Sequence, residues 1–149
     1  MRLEDAIKQK KFDNEYEKAV VNILFTASWL ESSNLQRMKP FGITSQQYNV
    51  LRILRGSHPN KLMLNDIACR MIDKNSNATR LVEKLRLKKL VTREQNKENR
   101  RQVDIAITPL GLDLLAAIDK VSDDWFNKFN TLNNQEIKQL NTLLDKLRG

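Results

Sequence analysis

Between Asn75 and Arg101 the chain groups short polar side chains and long cations into two clusters. The first is Asn75, Ser76, Asn77, Thr79, Arg80 and Lys84, placed where the pattern reads as the start of a helix. Amides and a guanidinium there offer paired donors and acceptors of the kind that fit base edges, and the cations suit phosphates. The second is Lys97, Arg100 and Arg101, inside the polar stretch from Gln95 to Gln102. A long cation on a narrow hairpin tip can enter a groove of strong negative potential. Asn and Ser also favour helix caps whatever the partner, and an arginine pair can be ordinary solvated surface. The distribution of charge bears on that choice.

The net charge is +8 over 149 residues, and it is not spread evenly. Residues 1–33 sum to −1, 34–73 to +4, 74–101 to +7 and 102–149 to −2. A basic block between near-neutral ends points to a polyanionic partner rather than to solubility alone. Other chemistries find little support. One histidine, His58, and one cysteine, Cys69, cannot complete a four-ligand zinc site from these residue types within one chain. Gly-rich phosphate loops and nucleophile motifs are missing from the sequence, so no enzyme and no cofactor is expected. A lone cysteine forms no internal disulfide, which fits a reducing cytoplasm. No apolar run of about 18 residues is present, so no membrane partner is expected. Met1 to Lys11 is polar and does not read as a secretory leader.

The elements that must position these clusters follow from periodicity. Apolar residues at Phe12, Tyr16, Val20, Ile23, Ala27 and Leu30 predict a long amphipathic helix to about Leu35. Thr44 three residues before Gln47 is a capping box opening a helix from about Ser45 to Gly56. A short helix is predicted from about Leu64 to Met71, burying Ile67, Ala68 and Met71. Asp73 or Asn75 can cap the next, which runs to about Lys89 and buries Ala78, Leu81, Val82 and Leu85. The period then changes to two: Leu90 to Glu94 and Val103 to Thr108 read as strands of a hairpin with an extended basic tip. Thr108-Pro109 starts a helix expected to reach about Phe129. A last helix, capped by Asn133 and Glu136, is expected to bury Ile137, Leu140, Leu144 and Leu147. A short helix, a tight connection, a longer basic helix and a hairpin make a winged helix-turn-helix.

Residues 44–111 resemble the MarR family of bacterial transcription regulators. The resemblance is carried by Thr44-Ser45-Gln46-Gln47-Tyr48-Asn49-Val50-Leu51, Asp66-Ile67-Ala68 and Thr79-Arg80-Leu81-Val82-Glu83-Lys84-Leu85. It continues through Leu90-Val91-Thr92-Arg93, Asn99-Arg100-Arg101 and Ile107-Thr108-Pro109-Leu110-Gly111. It implies a recognition helix that reads the major groove through Asn75, Ser76, Asn77, Thr79, Arg80 and Lys84, and a wing that uses Lys97, Arg100 and Arg101. Two departures stand out. Asn99 replaces the aspartate usual before the two arginines, so it brings no charge to brace the wing. Lys89 replaces the usual glycine after the recognition helix; glycine suits a left-handed cap there, so lysine implies modest strain or a different helix ending. The resemblance also implies a small-molecule or oxidant effector; Trp29, Tyr48 and Trp125 are the candidate cleft residues. Cys69 is expected to be a buried structural thiol on the packed side of its helix.

The expected fold class is mainly α with a small β-hairpin wing (α+β). It forms one domain, 1–149, with a winged helix-turn-helix lobe at 36–111 and dimerisation helices at 1–35 and 112–149. The apolar stripes of the end helices exceed what a small lobe can bury, and pairing them between two chains would set two reading helices about 34 Å apart, one turn of DNA. The expected function is a cytoplasmic, nucleoid-associated homodimer that binds a palindromic double-stranded operator as a repressor. The alternative is a winged helix that binds RNA or a protein. Residues 74–101 hold no aromatic side chain to stack on unpaired bases, which favours duplex DNA.

Overall fold

The computed structural model describes residues 1–99 and 101–149. Their element order is α1 (Leu3–Ile7), α2 (Glu15–Met38), α3 (Ser45–Ser57), β1 (Leu62–Met63), α4 (Leu64–Arg70), α5 (Ala78–Leu87), β2 (Val91–Gln95), β3 (Val103–Ile107), α6 (Pro109–Lys120), α7 (Ser122–Asn127) and α8 (Asn134–Arg148). A 3₁₀ turn, Lys39–Phe41, joins α2 to the loop before α3.

The caps explain most of the boundaries. Asn14 accepts the Glu17 amide at the start of α2, and Thr44 and Gln47 close a reciprocal capping box on α3. Thr108 accepts the Gly111 amide and also donates to the Lys89 carbonyl, so one hydroxyl caps α6 and ties it to the end of α5. Asn133 and Glu136 form the predicted box on α8.

The sheet has three strands in the order β1-β3-β2, all antiparallel. Asp104 on the central strand lies opposite both Met63 and Glu94. The hairpin was legible in advance. The edge strand β1 was not, because two residues carry no period, and neither was the five-residue α1.

The main hydrophobic core runs from Met38 to Ile118. Val50, Leu51, Ile67, Val82, Leu85, Ile105, Leu115 and Ile118 are fully buried in it. Burial of each large side chain contributes about 1.5–3 kcal/mol. Thus α3, α4, α5, the sheet and α6 form one lobe, while α2 enters it through Met38 alone.

Several expectations are corrected. The helix from Pro109 does not continue to Phe129: it breaks at Val121, and α7 follows as a separate helix. The Ser122 hydroxyl donates to the Ile118 carbonyl at 2.8 Å and accepts from Arg37 at 3.2 Å, so a side chain competes for the backbone there. The last helix buries none of its residues in the single chain; Leu140, Leu143 and Leu147 are 44%, 56% and 65% exposed. Cys69 is exposed, not buried, because it follows Ile67 and Ala68 onto the outer side of α4. Its thiol contacts the Asp66 carbonyl at 3.2 Å.

Candidate nucleic-acid interface

The polar residues before α5 form a folded turn rather than the first turn of a helix. Asp73 accepts the Asn75 amide at 2.9 Å and the Ser76 hydroxyl at 3.1 Å, and its carbonyl takes the Ser76 amide. The cap of α5 is Asn77, whose side chain accepts the Arg80 amide at 3.0 Å. The expected cap at Asp73 or Asn75 is therefore displaced, and Asn75 and Ser76 lie outside the helix. Asp73 capped its own turn instead, a competition the sequence left open.

From Asn77 onward α5 divides cleanly. Ala78, Val82 and Leu85 are buried; Thr79, Arg80 and Lys84 are exposed. Arg80 and Lys84, one turn apart, make no ion pair among the described residues. Arg86 differs. Its guanidinium holds Glu83 through bonds of 2.7, 3.0 and 3.2 Å, which lowers the Glu83 pKa and raises its own. Lys88 is tied to the Gly42 carbonyl and Lys74 to the Cys69 carbonyl. The free cations within α5 are thus Arg80, in its first turn, and Lys84, in its last, on one exposed face.

The helix ends on a left-handed residue, so of the two outcomes the sequence left open, strain at the lysine or a different ending, the first holds. Lys89 has φ 60°, its amide donates to the Arg86 carbonyl, and the Leu90 amide donates to the Leu85 carbonyl. Those two bonds define a Schellman ending with lysine where glycine is easiest. Leu90 is buried, and the chain turns straight into β2, so α5 and the hairpin meet at one packed joint.

At the wing, Lys61 and Glu94 pair at 2.7 Å, lowering the Glu94 pKa and raising that of Lys61. Lys97, Asn99 and Arg101 are exposed, and the Arg101 amide donates to the Asn99 side chain at 3.1 Å. Arg100 lies outside the described residues.

The proposed cleft aromatics meet through a residue that sequence reasoning missed. Arg37 stacks on Tyr48 at 5.1 Å and on Trp125 at 4.3 Å, and donates to Asn34 and Ser122. Trp125 also donates to Ser33 at 2.9 Å. Trp29 stands apart, edge-on to Phe129 at 5.4 Å, and Phe129 in turn touches Trp125. A cavity of about 530 Å³ is lined by Arg37, Pro40, Phe41, Val121 and Trp125, among others, but not by Trp29 or Tyr48. Trp29, Ser33 and Arg37 recur every four residues along α2, a one-face spacing that could have flagged the arginine.

Comparison with known proteins places this geometry. Residues 43–103 match the model of the MarR family. The crystal structure of a MarR transcription factor from Planctomyces limnophilus is 30% identical, covering 91% of this chain and 98% of that one, with a TM-score of 0.69. The chain belongs to the MarR family. Its relatives include the HTH-type transcriptional regulator SarZ of Staphylococcus epidermidis, 28% identical over 93 residues. That match takes in 62% of each protein, so this chain spans about three-fifths of the length of the curated relative. A mutant MarR from E. coli, solved in complex with operator DNA, shares the fold at a TM-score of 0.81, with 21% identity over 93% of this chain and 99% of that one. The match to the MarR family model spans α3 to the start of β3, the helix-turn-helix and hairpin. Among the described residues, no helix is long and apolar enough to cross a membrane, and no cluster of metal-ligating side chains occurs.

Proposed function

We propose that this protein is a homodimeric transcription repressor that binds a palindromic site in double-stranded DNA, with the lobe of α3 to α6 reading DNA and the segments on either side of that lobe joining the two chains. The observation that carries this reading is the division of the cations. Arg80, Lys84, Lys97 and Arg101 are exposed and unpaired among the described residues, whereas Arg86, Lys61 and Arg55 are held by carboxylates. Free cations one turn apart on an exposed helix face and on a hairpin tip suit phosphates and base edges. Asn75, Ser76, Asn77 and Thr79 are the short donors and acceptors that would approach the bases, and Arg100 would extend the wing.

The dimer is supported by apolar periodicity without a partner. Tyr16, Val20 and Leu24 recur every four residues on α2 at 86%, 54% and 65% exposure, and α8 presents Leu140, Leu143 and Leu147. Helices that show an apolar stripe to water have a partner surface missing.

A second component of the reading is release by a small-molecule effector in the Arg37–Trp125 cavity. A half-buried guanidinium with no carboxylate partner among the described residues, flanked by two aromatic rings, suits a planar anion. Tyr48 and Trp125 hold Arg37, while Trp29 supports Trp125 through Phe129.

Selection of bound duplexes from a random-sequence library tests the main claim. An inverted repeat is the expected product. Recovery of no preferred duplex, together with binding of single-stranded RNA, would favour the alternative winged-helix reading.

A further inference from the structure

We propose that Asn96 and Asp104 form a clamp that fixes the shape of the wing, making both of them positioning residues for DNA contact. The inference rests on the duplex-binding reading above. It starts from a cost: a polar hairpin tip with no apolar anchor loses conformational entropy on ordering, and needs bonds of its own to hold one shape. Asn99 brings no carboxylate to this tip. The charge comes from Asp104, which lies on the central strand of the sheet, opposite Met63 and Glu94.

One amide makes the connection. The Asn96 side-chain nitrogen donates to both Asp104 carboxylate oxygens, at 3.0 and 3.1 Å. Its side-chain oxygen accepts the Glu98 and Asn99 amides, each at 2.9 Å. Its backbone amide closes the loop onto the Gln102 carbonyl at 3.0 Å. Asn99 then repeats the device one step on, accepting the Arg101 amide. The Asn96 side chain therefore ties the backbone that carries Lys97 to the central strand of the sheet, beside the backbone bonds that close the loop between Asn96, Asn99 and Gln102. The position asks for an acceptor toward two backbone amides and a donor toward a carboxylate, a combination that asparagine meets and aspartate or alanine does not. The Lys61–Glu94 pair braces the same stretch of β2 and adds its charges beside Asp104.

The test uses the full chain and the duplex it selects from a random library. Asn96→Ala keeps the net charge, and Asp104→Ala makes the protein more positive. Both are expected to lower affinity about tenfold, the loss of one charge-assisted hydrogen bond. Both are expected to lose preference in the flanking bases while keeping the bases selected by α5, and to leave the thermal midpoint unchanged. Asn96→Asp alone sets two carboxylates face to face. Combined with Asp104→Asn it reverses the donor and acceptor, and the pair is expected to bind within about threefold of the parent. Tighter binding by Asp104→Ala, the result of charge alone, would overturn the clamp. So would selection of unaltered flanking bases by Asn96→Ala. Amide exchange at Glu98 and Asn99, slow in the parent and fast in Asn96→Ala, reports the clamp without DNA. If the parent selects no duplex, the DNA reading and the positioning role fall together, and the exchange rates still show whether the clamp exists.

Discussion

Arg80 and Arg86 sit on the same helix with the same chemistry, and their neighbours give them different tasks. Glu83 neutralises Arg86, while Arg80 faces solvent without a partner among the described residues. Arg80→Ala is expected to weaken duplex binding by about 1–3 kcal/mol and to relax preference at one base position, whereas Arg86→Ala should do much less; fluorescence anisotropy on the selected duplex separates them. Close packing makes an equally sharp prediction at Gly111. A Cβ there would press into the Leu90 carbonyl oxygen and stand 2.7 Å from Ile107 Cγ1. Gly111→Ala is therefore expected to cost about 1–3 kcal/mol in urea unfolding, although alanine is the better helix former. Glu4 predicts a pH effect. The bond from Lys18, at 2.6 Å, is the first cause that takes its pKa from 4.5 to about 2. A folded pKa below the unfolded one contributes stability that is present above pH 4.5 and fades as the pH falls toward 2. NMR titration should show α1 loosening from α2 through that window, and Glu4→Gln should abolish the dependence.

At the scale of elements, the sequence was readable at three helix starts where a side chain caps its own backbone, and misread at α5, where Asn77 rather than Asp73 or Asn75 is the cap. Thr44 with Gln47, Thr108 before Pro109 and Asn133 with Glu136 all mark helix starts by bonds within three residues. The hairpin was readable from the alternation of Val103, Ile105 and Ile107. Features set by distant partners were hidden. The break at Val121 depends on Ser122 and on Arg37, 85 residues away, and β1 exists only because Leu62 and Met63 meet Ile105 and Asp104. The candidate site divides the same way: the exposed cations of α5 and the wing followed from periodicity, whereas Arg37 and the Asn96–Asp104 pair required the fold. Lys89 was legible as a misfit, and its φ of 60° decides for a left-handed ending over a different one. Since the left-handed region costs a lysine more than a glycine, Lys89→Gly is expected to stabilise the protein by about 0.5–1 kcal/mol in chemical denaturation.

For the whole molecule, the placement of the core argues for two chains. The main cluster stops at Ile118, and the apolar faces of α2 and α8 remain in water. Leu24→Glu or Leu143→Glu is expected to yield monomers by sedimentation while leaving the lobe folded, and to weaken operator binding severely because half-sites then bind independently. Joined across α2 and α8, two lobes would present two basic helices and two wings to one face of a duplex. That arrangement makes binding a matter of displaced counterions. The most direct measurement is the affinity for the selected duplex between about 50 and 200 mM salt, where six or more phosphate contacts predict a fall of about a thousandfold or greater. An affinity that stays level across that range would contradict the account.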